Sequence, residues 1–349
     1  MRAVDGELLW HILFGMRLLV SSALLLTVVA CSRACVPGAG SPDVPTPDSF
    51  PFAFGTRSSS GSVNLTTEGS ETETEKPWQW ASVTKQFVAV LVMQDVEAGR
   101  LPLSDTIEKH VPELAADGRG PVTVEQLLRH TSGLGVPRAL PESMETDPVQ
   151  FCRLRMRAVP GQSFEYNNCD TAVVAVILER VNGQPWAELL RRRILEPLEM
   201  KNSGVLTAPV SDGSVVTSGA PHLYGASAAM YGTLRDLLRF NDGLMTGKLL
   251  GEESLETLWD GDPKLGFVAL GAWEYEARLD GCAEKVRLVE RRGDVGDVQV
   301  VNVMAPALKK SMAAFTREPN VGFGEIWASR GAVYRLASQT FCGAEGSAH

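Results

Sequence analysis

The stretch Trp78-Gln79-Trp80-Ala81-Ser82-Val83-Thr84-Lys85-Gln86-Phe87-Val88-Ala89-Val90-Leu91-Val92-Met93 decides how the rest of the chain is read. Trp78-Gln79-Trp80 has the character of an extended segment. The run from Phe87 to Val96 is apolar almost all round, so a helix there is enclosed by its domain instead of lying on the surface. Ser82 then falls at the helix start, with Lys85 one turn on. A Ser and a Lys three apart arise by chance about once in a chain of this length, and the plain alternative is a surface serine beside a lysine whose stem lies along the protein. Burial is what would make the pair chemical. The helix N-terminus faces developing negative charge, and a desolvated Lys85 populates its neutral amine more easily, which lets it take the Ser82 proton.

Composition sets the outer limits. The 349 residues are 44% hydrophobic and 7% aromatic, enough to bury a substantial core in one large domain or two ordinary ones. The formal net charge of −9, without a long Lys/Arg block, argues against nucleic acid or an anionic membrane surface as partner. A small molecule or peptidoglycan-derived material is expected instead, acting on a monomer.

The first residues read as targeting sequence. Met16-Arg17 precedes the apolar run Leu18 to Ala30, and Val28-Val29-Ala30-Cys31 resembles a bacterial lipoprotein signal with Cys31 as the lipidated residue. The expected organisation is a signal segment over 1–31, a flexible Pro/Gly/Ser-rich tether over 32–49 and one catalytic domain over 50–345, exported to the periplasmic face of the membrane or secreted. The membrane is then met through a lipid anchor only. Setting Cys31 aside leaves five cysteines, and Cys35 lies in the tether. The remaining four allow three pairings, of which Cys152–Cys169 with Cys282–Cys342 is preferred. No spacing resembles a metal site, and no cofactor is expected.

Along the domain, Phe50 to Phe54 and Ser62 to Leu65 read as an edge hairpin. Helical patterns cover Thr123–Arg129, Asp170–Val181, Trp186–Arg193, Leu234–Met245 and Ser254–Trp259. Lys285–Glu290, Val298–Met304 and Ser311–Phe315 read as antiparallel strands, and Gly324–Gln339 as a terminal helix. Strands therefore sit at both ends of the domain with helices between.

A second chemical cluster is Tyr166-Asn167-Asn168, introduced by Pro160-Gly161-Gln162. From an extended loop, the Tyr166 hydroxyl and the Asn168 amide point the same way, as a proton shuttle and a carbonyl-orienting group. Taken together, Ser82-x-x-Lys85, then His130-Thr131-Ser132-Gly133-Leu134, then Pro160-Gly161-x-x-Phe164-x-Tyr166-x-Asn168, resemble the serine β-lactamase-related family of class C β-lactamases, D-alanyl-D-alanine peptidases, D-aminopeptidases and esterases. The resemblance covers about Phe50 to Cys342. It implies an α/β chain of the α+β type, with an antiparallel sheet flanked by helices and an interleaved all-helical subdomain. It also implies Ser82 as acylated nucleophile, Lys85 as its base, Tyr166 as shuttle and Asn168 as a substrate-orienting amide. His130 reads as a structural core histidine, with no acidic partner evident to orient it.

The family's third motif is Lys-Thr-Gly or His-x-Gly, whereas this chain offers Glu290-Arg291-Arg292-Gly293-Asp294. Period-two alternation lets Arg291 face Ser82 while Glu290 and Arg292 point away. Arginine cannot shuttle protons, so Arg291 is expected to recognise an anionic group on the substrate, or else to be structural. The resemblance makes the backbone N–H after Gly293, that of Asp294, the second oxyanion donor beside the Ser82 N–H. An α/β-hydrolase is set aside, because Gly225-Ala226-Ser227-Ala228-Ala229 lacks the closing glycine of a nucleophile elbow and no histidine follows it except terminal His349. The remaining rival to a serine hydrolase is a non-catalytic envelope sensor or peptidoglycan-binding module on the same fold.

Overall fold

The computed structural model describes residues 52–67, 72–143, 146–318 and 322–343. The signal segment, Cys31 and the tether lie outside them. Among the described residues no helix is long and apolar enough to cross a membrane.

The frame is a six-stranded sheet in the order β2-β1-β9-β8-β7-β6, antiparallel throughout. It comprises β1 (Phe52–Arg57), β2 (Val63–Thr67), β6 (Trp273–Ala277), β7 (Val286–Val295), β8 (Val298–Ala305) and β9 (Lys310–Thr316). Chain-distant strands meet because β1 pairs with β9, which closes the sheet across the whole domain. Alternation along β8 explains its near-continuous apolar run: Val298, Val300 and Met304 pack into one core, Val301, Val303 and Ala305 into a second on the opposite face. A strand covered on both sides needs apolar residues on both.

The first core holds α1 (Thr84–Glu97), in which every residue from Thr84 to Met93 is buried. The second face is covered by α8 (Gly331–Cys342). Along the chain between α1 and the strand β5 (Met230–Gly232) lie the helices α2 (Val124–Leu128), α3 (Pro148–Phe151), α4 (Asn168–Asn182) and α5 (Trp186–Leu190). A small sheet β3-β5-β4 joins Trp78–Gln79, Met230–Gly232 and Gly204–Val205, and α6 (Leu234–Met245) and α7 (Glu252–Leu258) lead back to the large sheet.

Two disulfides are present, Cys152–Cys169 between α3 and the first turn of α4, and Cys282–Cys342 between the β6–β7 turn and the end of α8. They close loops of 17 and 60 residues, and on the chain-entropy account each removes on the order of 3–4 kcal/mol of unfolded-state freedom.

Several local expectations are corrected. The terminal helix begins at Gly331 and not at Gly324, because the backbone first folds back through a Glu325–Arg330 bridge. Gly324 and Gly331, at φ 81° and 83°, approach so closely that a Cβ on either would sit 2.5 Å from the other's Cα, a geometry only glycine fills. The strand expected over Lys285–Glu290 runs on to Val295. The helix expected over Trp186–Arg193 passes at Arg191 into a π-turn, Arg191–Leu195. Strand β6 had no counterpart in the sequence reading. Its alternation of Trp273, Tyr275 and Ala277 against Glu274 and Glu276 carried the signal.

Candidate active site

Ser82 sits in the 3-10 turn Ala81–Val83 that feeds directly into α1. The turn is held from three sides. Trp80 N–H donates to the Met230 carbonyl at 2.8 Å, the Thr84 hydroxyl donates to the Ala81 carbonyl at 2.7 Å, and Met230 N–H donates to the Thr84 hydroxyl at 3.1 Å. Trp80 stacks on Phe87 and Phe87 on Phe240, which locks the turn to the core. Ala81 is fully buried yet adopts φ 46°, a strained backbone that persists only where packing over-determines it.

Strand β7 forms the opposite wall. Because β6 pairs only with Val286–Glu290, the β7 edge from Arg291 to Val295 is left open to the Ser82 turn. Gly293 lies flat against that turn, and a Cβ there would sit 2.3 Å from the Trp80 carbonyl and 3.0 Å from Ser82 N. The close approach requires glycine. Arg291 faces Ser82, while Glu290 and Arg292 pair with each other on the far face, with Tyr275 also donating to Glu290.

Two groups converge on the Ser82 hydroxyl, and a third holds one of them. Tyr166 Oη is 2.6 Å away and Lys85 Nζ 3.2 Å away, and Arg291 Nη2 donates to Tyr166 Oη at 2.9 Å. Lys85 also donates to Asn168 Oδ1 at 2.8 Å and to the Ser227 carbonyl at 2.7 Å. Those two oxygens can only accept, so in the neutral amine they take both N–H bonds, and the lone pair is left pointing at Ser82. Burial is the main cause that brings Lys85 down to about 8, with the Arg291 charge assisting and Tyr166 opposing. Burial alone would raise the Tyr166 phenol. The positive charges of Lys85 and Arg291, with hydrogen bonds from Lys85 and Ser82, overcome it and bring Tyr166 to about 8 as well. Among the described residues neither cation is in an ion pair with a carboxylate, and none of them forms a metal-ligating cluster.

Three sequence readings change here. Asn168 is the first residue of α4, capped by the Asn167 side chain, and not part of an extended loop. Its carbonyl oxygen is occupied by Lys85. Arg291 is 1% exposed, with Nε on the Ser82 carbonyl at 2.9 Å and Nη2 on Tyr166, and its guanidinium lies between the Tyr166 and Trp273 rings. Those donors point inward, toward the Ser82 turn. His130 does have an acidic partner: its Nδ1 lies 3.1 Å from Asp170 Oδ2, and Ser132 donates to Asp170 Oδ1. Burial pushes Asp170 up and His130 down, which favours their neutral forms. The His130 ring packs 4.7 Å from Tyr166 and so supports the phenol from behind. Asp294 is exposed. After burial and Tyr166, its charge helps raise the Tyr224 phenol.

The sequence reading missed Ser227, Asp170 and Trp273. Ser227 acts through a backbone carbonyl, which no residue type advertises, and Asp170 meets His130 only across 40 residues.

A cleft of about 510 Å³ opens from this cluster. Tyr166, Asn168 and Ser227 line its near end, and the face of α4 together with residues 136–141 line its length.

Comparison with known proteins agrees with this architecture. A family profile described as Beta-lactamase matches residues 58–266. The match ends before β7, so Arg291, Gly293 and Asp294 rest on geometry alone. Among curated proteins, the chain is 30% identical over 138 residues to Protein flp of Staphylococcus aureus (strain MW2), covering 36% of this chain and 27% of that protein. It is 25% identical over 197 residues to the putative penicillin-binding protein PbpX of Bacillus subtilis (strain 168), covering 51% and 49%. The chain therefore spans between a quarter and a half of the length of these relatives. Among solved structures, a D-stereospecific amidohydrolase from Streptomyces sp. superposes with TM-score 0.67 at 22% identity, over 84% of this chain and 94% of that one. An octameric penicillin-binding protein homologue from Pyrococcus abyssi superposes with TM-score 0.66 at 22% identity, over 82% and 72%. The chain shares the fold of these structures, and with more than half of its length matched by the family profile it belongs to the Beta-lactamase family.

Proposed function

We propose that the protein hydrolyses an ester, amide or β-lactam through an acyl-enzyme on Ser82. The observation that carries this is the convergence of Lys85 and Tyr166 on the Ser82 hydroxyl. Lys85, neutral, takes the Ser82 proton as Oγ bonds to the substrate carbonyl carbon. The carbonyl π electrons move to oxygen, beside the Ser82 N–H at the N-terminus of α1. We assign the second oxyanion contact to the backbone N–H of Asp294, on the open edge of β7. As the tetrahedral centre collapses, the C–N or C–O bond to the leaving group breaks and Tyr166 gives the departing atom its proton. A water molecule then attacks the acyl carbon by the reverse use of the same groups and frees Ser82.

Asn168 holds Lys85 in line in this reading, and Arg291 fixes the Ser82 carbonyl and lowers the acidity threshold of Tyr166. The Ser82–Lys85–Tyr166 geometry argues against a purely binding module, which has no use for a buried lysine and a buried arginine without carboxylate partners. The two disulfides fit an exported protein, and the lipoprotein form with Cys31 as anchor belongs to the same proposal. Turnover of a chromogenic ester, a D-aminoacyl anilide and a chromogenic cephalosporin, each with wild type and Ser82→Ala, tests the reading. At least one substrate should turn over with wild type and lose about a thousandfold or more in Ser82→Ala. Equal rates for both proteins on every substrate hydrolysed would overturn it.

A further inference from the structure

We propose that the cleft beside Ser82 is a subsite for an extended, unbranched apolar acyl chain, laid along α4 from Asn168 to Glu179. The inference rests on the serine-hydrolase reading above and names the substrate class it serves. The near end of the cleft is walled by Tyr166, Asn168 and Ser227, the groups that touch Ser82 or hold Lys85. Ser82 and Lys85 do not themselves line the cleft, so it adjoins the reacting group through these three residues.

Its floor is one stripe of α4. Asn168, Ala172, Ala175, Val176 and Glu179 all line it, and spacing of three and four residues puts them on one helix face. That stripe is three turns long, about 16 Å. The small side chains of Ala172 and Ala175 keep the floor low, and Val136, Leu140, Phe151 and Trp186 add apolar lining. The first turn of the floor is tied to α3, which carries Phe151, by the Cys152–Cys169 disulfide. The cleft is thus built from fixed elements on both sides of that bond.

Its chemistry selects the occupant. Of the described residues lining the cleft, Arg138 and Glu179 are the charged ones. Arg138 is exposed, and Glu179 Oε1 already accepts from Trp186 N–H at 2.9 Å. A peptide laid along this floor would have to leave amide groups facing Ala172, Ala175 and Val176, at a desolvation cost that an alkyl chain does not carry. A polypeptide covers roughly 3.5 Å in three bonds, so about a dozen chain atoms span the roughly 16 Å of floor from Asn168 to Glu179.

The test has a binding arm and a turnover arm. Ser82→Ala protein is titrated calorimetrically with straight-chain carboxylates from acetate to dodecanoate, and wild type is assayed with 4-nitrophenyl esters of the same acids. Affinity and kcat/KM should each rise about twofold or more per methylene from four carbons to about twelve, the length that fills the cleft. Ala172→Phe and Val176→Phe raise the floor, and either should cut the ratio of long-chain to short-chain values at least tenfold. No rise with chain length in the binding arm, or the same rise in both Phe variants, overturns the subsite. A chain-length rise in binding without ester turnover supports the subsite and removes the hydrolase reading. Ser82-dependent turnover with flat binding and flat kcat/KM does the reverse. Should one Phe variant fail to fold, the other and the unmodified series decide.

Discussion

The two ends of α1 handle buried charge in opposite ways. Near its C-terminus Asp95 is 0% exposed, and it is surrounded by partners: Arg100 and Arg193 pair with Oδ1, and Asn182 donates to Oδ2 at 2.6 Å. At its N-terminus Lys85 is equally enclosed, yet its acceptors are a hydroxyl, an amide oxygen and a backbone carbonyl, with the Arg291 cation close by. One charge is neutralised by its surroundings and the other is destabilised by them. The same helix therefore uses one buried ion to hold the fold and a second to keep a proton easily moved. A carboxylate beside Lys85 would fix the ammonium and remove the base.

The largest effect should come from emptying the uncompensated site. Lys85→Met, close in volume to lysine, should lower turnover about a thousandfold or more. Thermal denaturation should show only a small loss of stability, because replacing a buried cation that has no carboxylate partner by a thioether offsets the donor lost to the Asn168 and Ser227 oxygens. A fall in Tm as large as the one expected for Asp95 would break the comparison.

The opposite outcome is expected at the compensated end. Asp95→Ala leaves Arg100 and Arg193 without their shared acceptor and should cost about 3–5 kcal/mol in urea unfolding, while the kcat of the protein that remains folded stays near wild type. A kcat loss as deep as that of Lys85→Met would mean that Asp95 belongs to the chemistry.

The smallest and most specific effect is on pH dependence. Lys85 must be neutral, so kcat/KM should rise with pH through about 8. Tyr166 must keep its proton, so the rate should fall above about 8, giving a narrow bell centred near that pH. The Arg291 charge lowers both groups, so Arg291→Gln should move both limbs to higher pH. An unmoved bell, with KM raised for acidic substrates alone, would return Arg291 to the substrate-recognition role expected from sequence.

Much of this was legible in the chain because the decisive signals are local. Ser82 and Lys85 lie one turn apart, the all-round apolarity of Phe87–Met93 announces an enclosed helix, and alternation along β7 turns Arg291 inward. What could not be read depends on distant pairing. Asp170 reaches His130, and Ser227 reaches Lys85 through its main chain, only after α4 and the β5 approach have docked. The task of Arg291 was open for the same reason: its parity was set by the strand, but its partners, the Ser82 carbonyl and Tyr166 Oη, come from segments more than a hundred residues away. Ala81 shows a further limit, since a left-handed alanine is imposed by packing and not by its own preference.

The claim at the centre is that Ser82 is the activated nucleophile, and intact-mass analysis tests it most directly. Purified wild type, Ser82→Ala and Lys85→Met are incubated at pH 8 with a fluorophosphonate and, separately, with a penicillin. Wild type should gain the mass of one adduct from at least one reagent, Ser82→Ala none, and Lys85→Met an adduct only at a rate lowered by orders of magnitude. An adduct of equal rate and mass in Ser82→Ala, or folded wild type unlabelled by both reagents, would contradict the account.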